Sequence, residues 1–532
     1  MEKKKVKLFS AIALLALAFL VVGATYAYFQ NQYGAASNAN VKVTTYTTDM
    51  LTFETGRNIN FTAGQDDFAS GKGNKTGSTF ARATLQANNK TNTATANYYM
   101  YLNIENNTFT YTNTGTPELL LQVVDKTSGN PVTNITGLNY VTVTDGKNTS
   151  ISGFDITTKK GLIALFLNKE ISASPKTIEE YTITITLVNH NFDQNVNTGK
   201  NLNGKLIIQK EKIITSVADV AKSGDNLVTA LQNLSTKSKP SYTGLYHHDS
   251  NLTNGAGDNS YRFAGANPNN YVCFGSDETT CPTENLYRII GVIDGKVKLI
   301  HAYGATTDML GTDEGYVKTY QEEWADFTAN YKGNGDLTKI GTYEWNKTSD
   351  NTWSTSTTNT TNLNTNYLTY LDGKNTKWKN MIADTTWYVG GMTGDNGVLS
   401  NAKTAYNYEV GANKDATTTV TSKIGLMYLS DYYYGATPDY WTLPGFDNNG
   451  SWNSDHTVWS GSGNDYSKAY NNNWMSTGLI EWTISRDSDI SNLAFYVGDV
   501  GDVGVGNSRG YAVRPSFSLS SSIKFTSGEG TA

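Results

Sequence analysis

Along the first two fifths of this chain the apolar positions repeat every second residue. Between about Val41 and Gln209, Tyr98, Met100, Leu102 and Ile104 alternate with Tyr99, Tyr101 and Asn103. Further on, Tyr181, Ile183, Ile185 and Leu187 alternate with Thr182, Thr184 and Thr186. Such alternation sets one face of a strand on a core and the other in water. Turn formers part the runs at Asn113-Thr-Gly115, Ser128-Gly-Asn130 and Asp145-Gly146. Short strands with regular breaks and little helical signal predict an antiparallel β-sandwich over residues 28–210.

The pattern then changes. Residues 211–245 read as a connector, in which Asp225 caps a short helix with Leu227, Leu231 and Leu234 on one face. Ser235-Thr-Lys-Ser-Lys-Pro240 stops it. Packing of this helix on the second domain is preferred to a free linker. Beyond it, Leu286–Ile293 and Lys296–Ile300 flank Asp294-Gly295, a hairpin with a type I′ turn. Trp378, Met381 and Ile382 have helical spacing, and a second helical piece is expected from Leu363 to Leu371. Later strands are expected at Ile424–Leu429, Leu479–Ile484, Leu493–Val497 and Tyr511–Leu519. Residues 246–532 therefore read as an α+β domain. A length of 532 residues itself asks for more than one core, because single cores stop growing near roughly 250–300 residues.

The amino-terminal stretch bears on location. Lys3, Lys4, Lys5 and Lys7 precede an apolar run from Leu8 to Gly23, and Thr25 and Ala27 offer small residues at a cleavage site. Residues 1–27 are thus expected to be a signal peptide. An uncleaved anchor is the alternative, since the run is near the short end for a spanning helix. Either way the rest of the chain works outside the membrane and touches it only through this segment. Ala24-Thr25-Tyr26-Ala27-Tyr28-Phe29 resembles the signal peptides of biofilm-matrix fibre proteins and camelysin-type surface proteins of Gram-positive bacteria. The resemblance implies an ER-type signal peptidase cutting between Ala27 and Tyr28.

Composition fits export. The net charge is −6 (42 basic against 48 acidic residues), which argues against a nucleic-acid footprint. Charged residues are only 17% of the chain, so polarity is carried by amides and hydroxyls, while 12% aromatic content excludes disorder throughout. The two cysteines, Cys273 and Cys281, are eight positions apart. In an oxidising exterior a disulfide is preferred to two free thiols. A structural zinc site lacks ligands, because the five histidines are scattered.

Two further resemblances bear on fold. Tyr181–His190, continuing through Asp193-Gln194-Asn195 and Gly199 to Gly204–Gln209, is similar to the closing strands of camelysin-like jelly-roll domains, and Phe109–Gly115 to an earlier element of theirs. Glu481-Trp482-Thr-Ile-Ser485-Arg486, Asn492–Val497 and Gly510-Tyr-Ala-Val-Arg514-Pro515 resemble a family of bacterial exported domains. Trp387–Gly391 and Ser260–Pro268 are further matching words. That family implies a C-type-lectin-like core related to formylglycine-generating enzymes, a fold that hosts enzymes and binders alike. The catalytic members use a cysteine pair near the late Arg-Pro strands. Both cysteines here lie far upstream, so that chemistry is not expected. A closing strand of the family pattern is also missing after Gly528, as in a C-terminal fragment.

Candidate ligand residues come from the late loops. Trp452 and Trp459 stand among glycines and asparagines, with Tyr440 nearby, where exposed rings would stack on a sugar or anchor a protein. The loops 431–465 and 498–509 are expected to line one concave surface. Trp474 and Trp482 read as core. Arg486 and Arg514 read as buried partners of carboxylates. Asp447, Asn449 and Asp455 have the oxygen spacing of a calcium loop without the closing Glu, so turn formation is preferred and calcium stands as the alternative to no cofactor. Gly498–Gly506 reads as hairpin turns rather than a phosphate cradle. The adjacent His247 and His248 cannot both face one metal from a strand. The expectation is a non-catalytic surface protein that binds a glycan or a protein and no nucleic acid. A self-assembling matrix component and an extracellular enzyme are the alternatives.

Overall fold

The computed structural model describes residues 49–531 except 89–92, 114, 349, 394–400, 443–470 and 508. The chain is rich in β-structure and divides into two compact units between Ile213 and Ile214. Each unit has its own hydrophobic core.

The first unit holds two antiparallel sheets. One runs, edge to edge, Met50–Thr55, Lys75–Gln86, Lys176–Leu187, Leu119–Asp125, Ser150–Asp155 and Tyr140–Thr144. The other runs Ile59–Thr62, Asn201–Gln209, Ala94–Asn107 and Gly161–Ala173. The period-two sets predicted from sequence are the buried faces. Ile183, Ile185 and Leu187 of the first sheet and Met100, Leu102 and Ile104 of the second enter one core. Tyr101, expected to face water, is buried instead, and its hydroxyl accepts from the Ile213 amide.

In the second unit the residues 211–245 do not form a separate piece after Ile213. The helix Leu227–Lys237 buries Leu227, Val228, Leu231 and Leu234 in the unit's core. Its cap is Asn226 rather than Asp225: the Asn226 side chain accepts from the Thr229 amide, while Asp225 accepts from Lys222. Just before this helix the chain meets its own far end. Gly224 and Leu227 donate backbone hydrogen bonds to Phe525 and Ile523, and Asn226 pairs antiparallel with Lys524.

A seven-stranded sheet follows the order Leu245–His248, Ser260–Phe263, Leu286–Ile293, Lys296–His301, Ser516–Ser518 and Ile424–Gly425, with Tyr271–Cys273 added beside Leu286–Ile293. The predicted hairpin is at its centre. Asp294 and Gly295 take φ of 50° and 69°, as its two-residue turn requires. A second, six-stranded sheet comprises Tyr316–Thr319, Gly341–Tyr343, Tyr511–Ala512, Glu481–Arg486, Ala494–Val497 and Val503–Gly506. The expected strand 511–519 is thus two strands in two sheets, parted at Arg514-Pro515, where proline has no N–H for a ladder. Ile424–Leu429 is also shorter than expected. It is a strand only at Ile424–Gly425, and a buried helix, Leu429–Tyr434, begins where the expected strand ended. Residues 431–434 of the expected ligand loop are therefore core.

Cys273 and Cys281 are disulfide-bonded, with Cα atoms 5.7 Å apart. Closing so short a loop removes little chain entropy, so replacing both cysteines by serine is expected to cost roughly 2–3 kcal/mol. Urea denaturation of the two proteins checks this; a loss well above that range means that the bridge does more than close its loop.

Candidate functional site

The candidate site forms on one face of the seven-stranded sheet. Along Lys296–His301, Val297 and Leu299 enter the core, which sends Lys296 and Lys298 to the other face. Arg262 stands opposite Gly291, and Gly291 stands opposite Lys298, so the two cations flank a glycine across three strands. A Cβ at Gly291 would fall 2.0 Å from the Tyr261 carbonyl oxygen, which makes glycine obligatory there.

Asp431 fills the space between the cations from the helix Leu429–Tyr434. It accepts from Lys298 Nζ at 2.5 Å and from Arg262 Nη1 at 3.0 Å. Its second oxygen also accepts from the Tyr428 amide at 3.0 Å, capping the helix. Arg262 is completed by Asp258 at 3.1 Å and by the Ser260 hydroxyl at 2.9 Å. All three central side chains are nearly inaccessible. Burial pushes the Asp431 carboxyl up, but Lys298 and Arg262 outweigh it and hold the group below the ordinary carboxylate range. The network is therefore ionised, and each of its carboxylates is already engaged.

Aromatic rings enclose it. Lys298 Nζ lies 5.4 Å from the ring centre of Trp387 and 4.8 Å from that of Tyr428. Arg262 lies 5.7 Å from Tyr406 and 5.5 Å from Tyr434. Trp387 and Tyr388 come from the strand Thr385–Tyr388, which pairs with Thr419–Ser422; Tyr406 comes from the helix Ala402–Glu409. All of these groups but Tyr434 line a cleft of about 220 Å³, with Thr385, Thr386 and Ser518 adding hydroxyls. Its size is below the roughly 300–1,000 Å³ of sites for drug-sized molecules, so it suits one sugar residue or one side chain of a longer ligand. A wider depression of about 570 Å³ lies at Asp308, Asp313, Asn366, Tyr370 and Lys374. It is shallow, its acidic and basic side chains are exposed, and no buried charge faces it, so the enclosed cleft is the better candidate.

Behind the cleft, Glu409 is buried and accepts from the Leu429 and Ser430 amides, each at 2.9 Å, and from the Ser485 hydroxyl. Burial pushes its carboxyl up to about 7; the bonds from Ser430 and Ser485 oppose this, and Asp431 adds to it. A carboxyl with a raised folded pKa binds its proton more tightly in the folded state. Its contribution to stability is thus complete below about pH 4.5 and is lost as pH rises towards 7. Over that window the second unit is expected to lose on the order of 3 kcal/mol through this group. Glu409→Gln removes that slope, and chemical denaturation of both proteins at pH 4.5 and 7.5 measures the difference; equal slopes refute it.

Trp452, Trp459, Asp447, Asn449 and Asp455 lie outside the described residues. Tyr440 closes the short turn Pro438–Tyr440, half-buried against the core, and does not line the cleft. Trp474 and Trp482 are core, as expected, and Trp441 joins them. Gly498–Asp502 makes the turn between the paired strands Ala494–Val497 and Val503–Gly506. Arg514 pairs with the fully buried Glu481. Among the described residues Arg486 meets no carboxylate; it donates to the Val389 carbonyl at 2.9 Å and to the Asn351 side chain at 3.2 Å. His247 stacks on Tyr261, while His248 is buried against Tyr434 and Trp441.

Sequence reasoning missed Arg262, Lys298 and Asp431. Their signal was present as single charges inside apolar or aromatic words: Tyr-Arg-Phe, Val-Lys-Leu and Ser-Asp-Tyr-Tyr-Tyr. No protein-family model and no curated protein sequence matches the chain, so the cleft is interpreted from its own geometry.

Proposed function

We propose that this is an exported bacterial surface protein whose second unit binds a ligand in the cleft around Lys298, Trp387, Tyr388 and Tyr406. The carrying observation is an enclosed, aromatic-walled cleft over an ion network that the protein itself has already neutralised. Such a site offers shape, ring faces and a few polar groups, which is what binding needs. The disulfide is compatible with an extracellular location. Among the described residues no helix is long and apolar enough to cross a membrane. In this reading the first unit is a jelly-roll-like sandwich, supported by two sheets that share one core. The second is a C-type-lectin-like domain that presents the cleft, and the ligand is a glycan or a protein of another cell or the matrix.

The buried ionisable groups favour a second reading, an extracellular enzyme. Against it, Asp431 is held by two cations and Glu409 by two backbone amides and a hydroxyl, and among the described residues no nucleophile stands beside a free base. The test uses the full chain on glycan and peptide arrays. Wild type is expected to bind a defined subset that Tyr388→Ala/Tyr406→Ala loses while its melting profile stays unchanged. Equal binding by both proteins removes the cleft from the function, and consumption of an arrayed ligand converts the reading to the enzyme.

A further inference from the structure

We infer that the group seated in this cleft is a carboxylated sugar residue, of the uronic or sialic acid class. The inference rests on the binding reading above and adds the chemistry of the ligand. Four cations line the cleft, Arg262, Lys296, Lys298 and Lys414, against three carboxylates, Asp258, Asp294 and Asp431. The chain as a whole carries −6, so the balance of charge in the cleft is opposite in sign to that of the chain. The surplus is also not spread evenly. Asp258 and Asp431 are consumed by Arg262 and by one bond from Lys298, and Asp294 is exposed on the hairpin turn.

What remains unfilled is ammonium. An ammonium has three N–H donors. Lys298 is 5% exposed and uses one donor on Asp431; the other two have no protein acceptor among the described residues. The Lys296 side chain, which also lines the cleft, makes no hydrogen bond or ion pair with a described residue. Lys414 reaches the Val410 and Gly411 carbonyls at 3.2 and 3.4 Å, meets no described carboxylate, and lies 4.8 Å from the ring centre of Tyr388. Lys298 is buried, while Lys296 and Lys414 are half-buried; a buried donor that lines a cleft is satisfied by an acceptor from outside the chain, water or a ligand group.

The form of the acceptor follows from the other walls. The Arg262 fork is already spent on Asp258 and Asp431, so an anion in the cleft meets ammonium groups rather than a guanidinium. The half-buried rings of Tyr388 and Tyr406 offer flat apolar faces, and Thr386 offers a hydroxyl. A pyranose ring with one carboxylate presents an apolar face, hydroxyls and one negative charge together. Its ring stacks on tyrosine while its carboxylate meets the lysines, and the small volume admits one such residue of a chain.

The test is calorimetric titration of the full chain with trisaccharides of galacturonate, glucuronate, mannuronate and sialate, each beside its neutral methyl ester. At least one acid is expected to bind, at least about tenfold more tightly than its ester, and less tightly as salt rises. Lys414→Met and Lys296→Met are each expected to weaken it about fivefold without moving the melting temperature, and Tyr388→Ala at least about tenfold. Equal binding of acid and ester, lost in Tyr388→Ala, overturns the acidic ligand and leaves the cleft as a neutral-sugar site. Equal competition by polyglutamate overturns the sugar. Binding that Tyr388→Ala leaves intact, or no binding across the panel, overturns the inference, and only the first of these two also removes the cleft as the binding site.

Discussion

Asp431→Ala is expected to destabilise the second unit by about 3–5 kcal/mol, because it leaves two buried cations without their shared carboxylate. Arg262 and Lys298 converge on this one side chain from two strands, and both are nearly inaccessible although they line the cleft. The same change removes the bond that caps the helix at Tyr428. Calorimetry of the full chain is expected to resolve one transition per core, with the second unit's melting temperature lower by on the order of 5–10 °C and the first unit's unchanged. Adding Lys298→Met and Arg262→Met is expected to restore most of the loss, since apolar groups of similar volume need no partner. If Asp431→Ala melts like wild type, the ion network does not hold the unit together.

The pair Arg514–Glu481 carries the next largest effect. Glu481 is fully buried in the six-stranded sheet, and Arg514 meets both of its oxygens and also donates to the Met475 carbonyl at 2.8 Å. Arg514→Leu strands a buried carboxylate and is expected to cost about 3–5 kcal/mol. Arg514→Leu combined with Glu481→Leu is expected to cost clearly less than the single change, because the deficit is an unpaired charge rather than a lost attraction. A double variant no more stable than Arg514→Leu would instead assign the loss to the Met475 contact and to packing. Urea midpoints of the three proteins decide between them.

Local rules carried far along this sequence and then stopped at identifiable residues. The hairpin Leu286–His301 was legible because Asp294-Gly295 supplies the left-handed conformations its turn needs, and the alternation of Tyr181–Leu187 was legible because one face of that strand is apolar throughout. Ile424–Leu429 looked like a strand, but Asp431 reaches back to the Tyr428 amide and starts a helix there. Tyr511–Leu519 has strand composition, yet Arg514-Pro515 divides it between two sheets. The site was less legible for a related reason. Alternation places Lys296 and Lys298 on the solvent side of their strand. Only the arrival of residues 385–388, 402–414 and 428–431 turns that side into an interior. Long-range covering leaves no local pattern beyond a charge among apolar neighbours.

The pairing of Gly224–Leu227 with Ile523–Phe525 also decides how this unit answers a pull. The two segments run antiparallel, and residues 214 and 531 both leave from the Gly224–Phe525 end of the pair. Tension between those two points therefore loads its hydrogen bonds one after another, as in a zipper, rather than all at once in shear. In an optical trap the early events should be low-force ones, release of the bond from the Tyr271 amide to the Gly530 carbonyl and then of this clasp, followed by resistance from the sheets behind them. Moving one attachment point to the tip at Asp294-Gly295 changes the direction of loading, and the same bonds should no longer yield first.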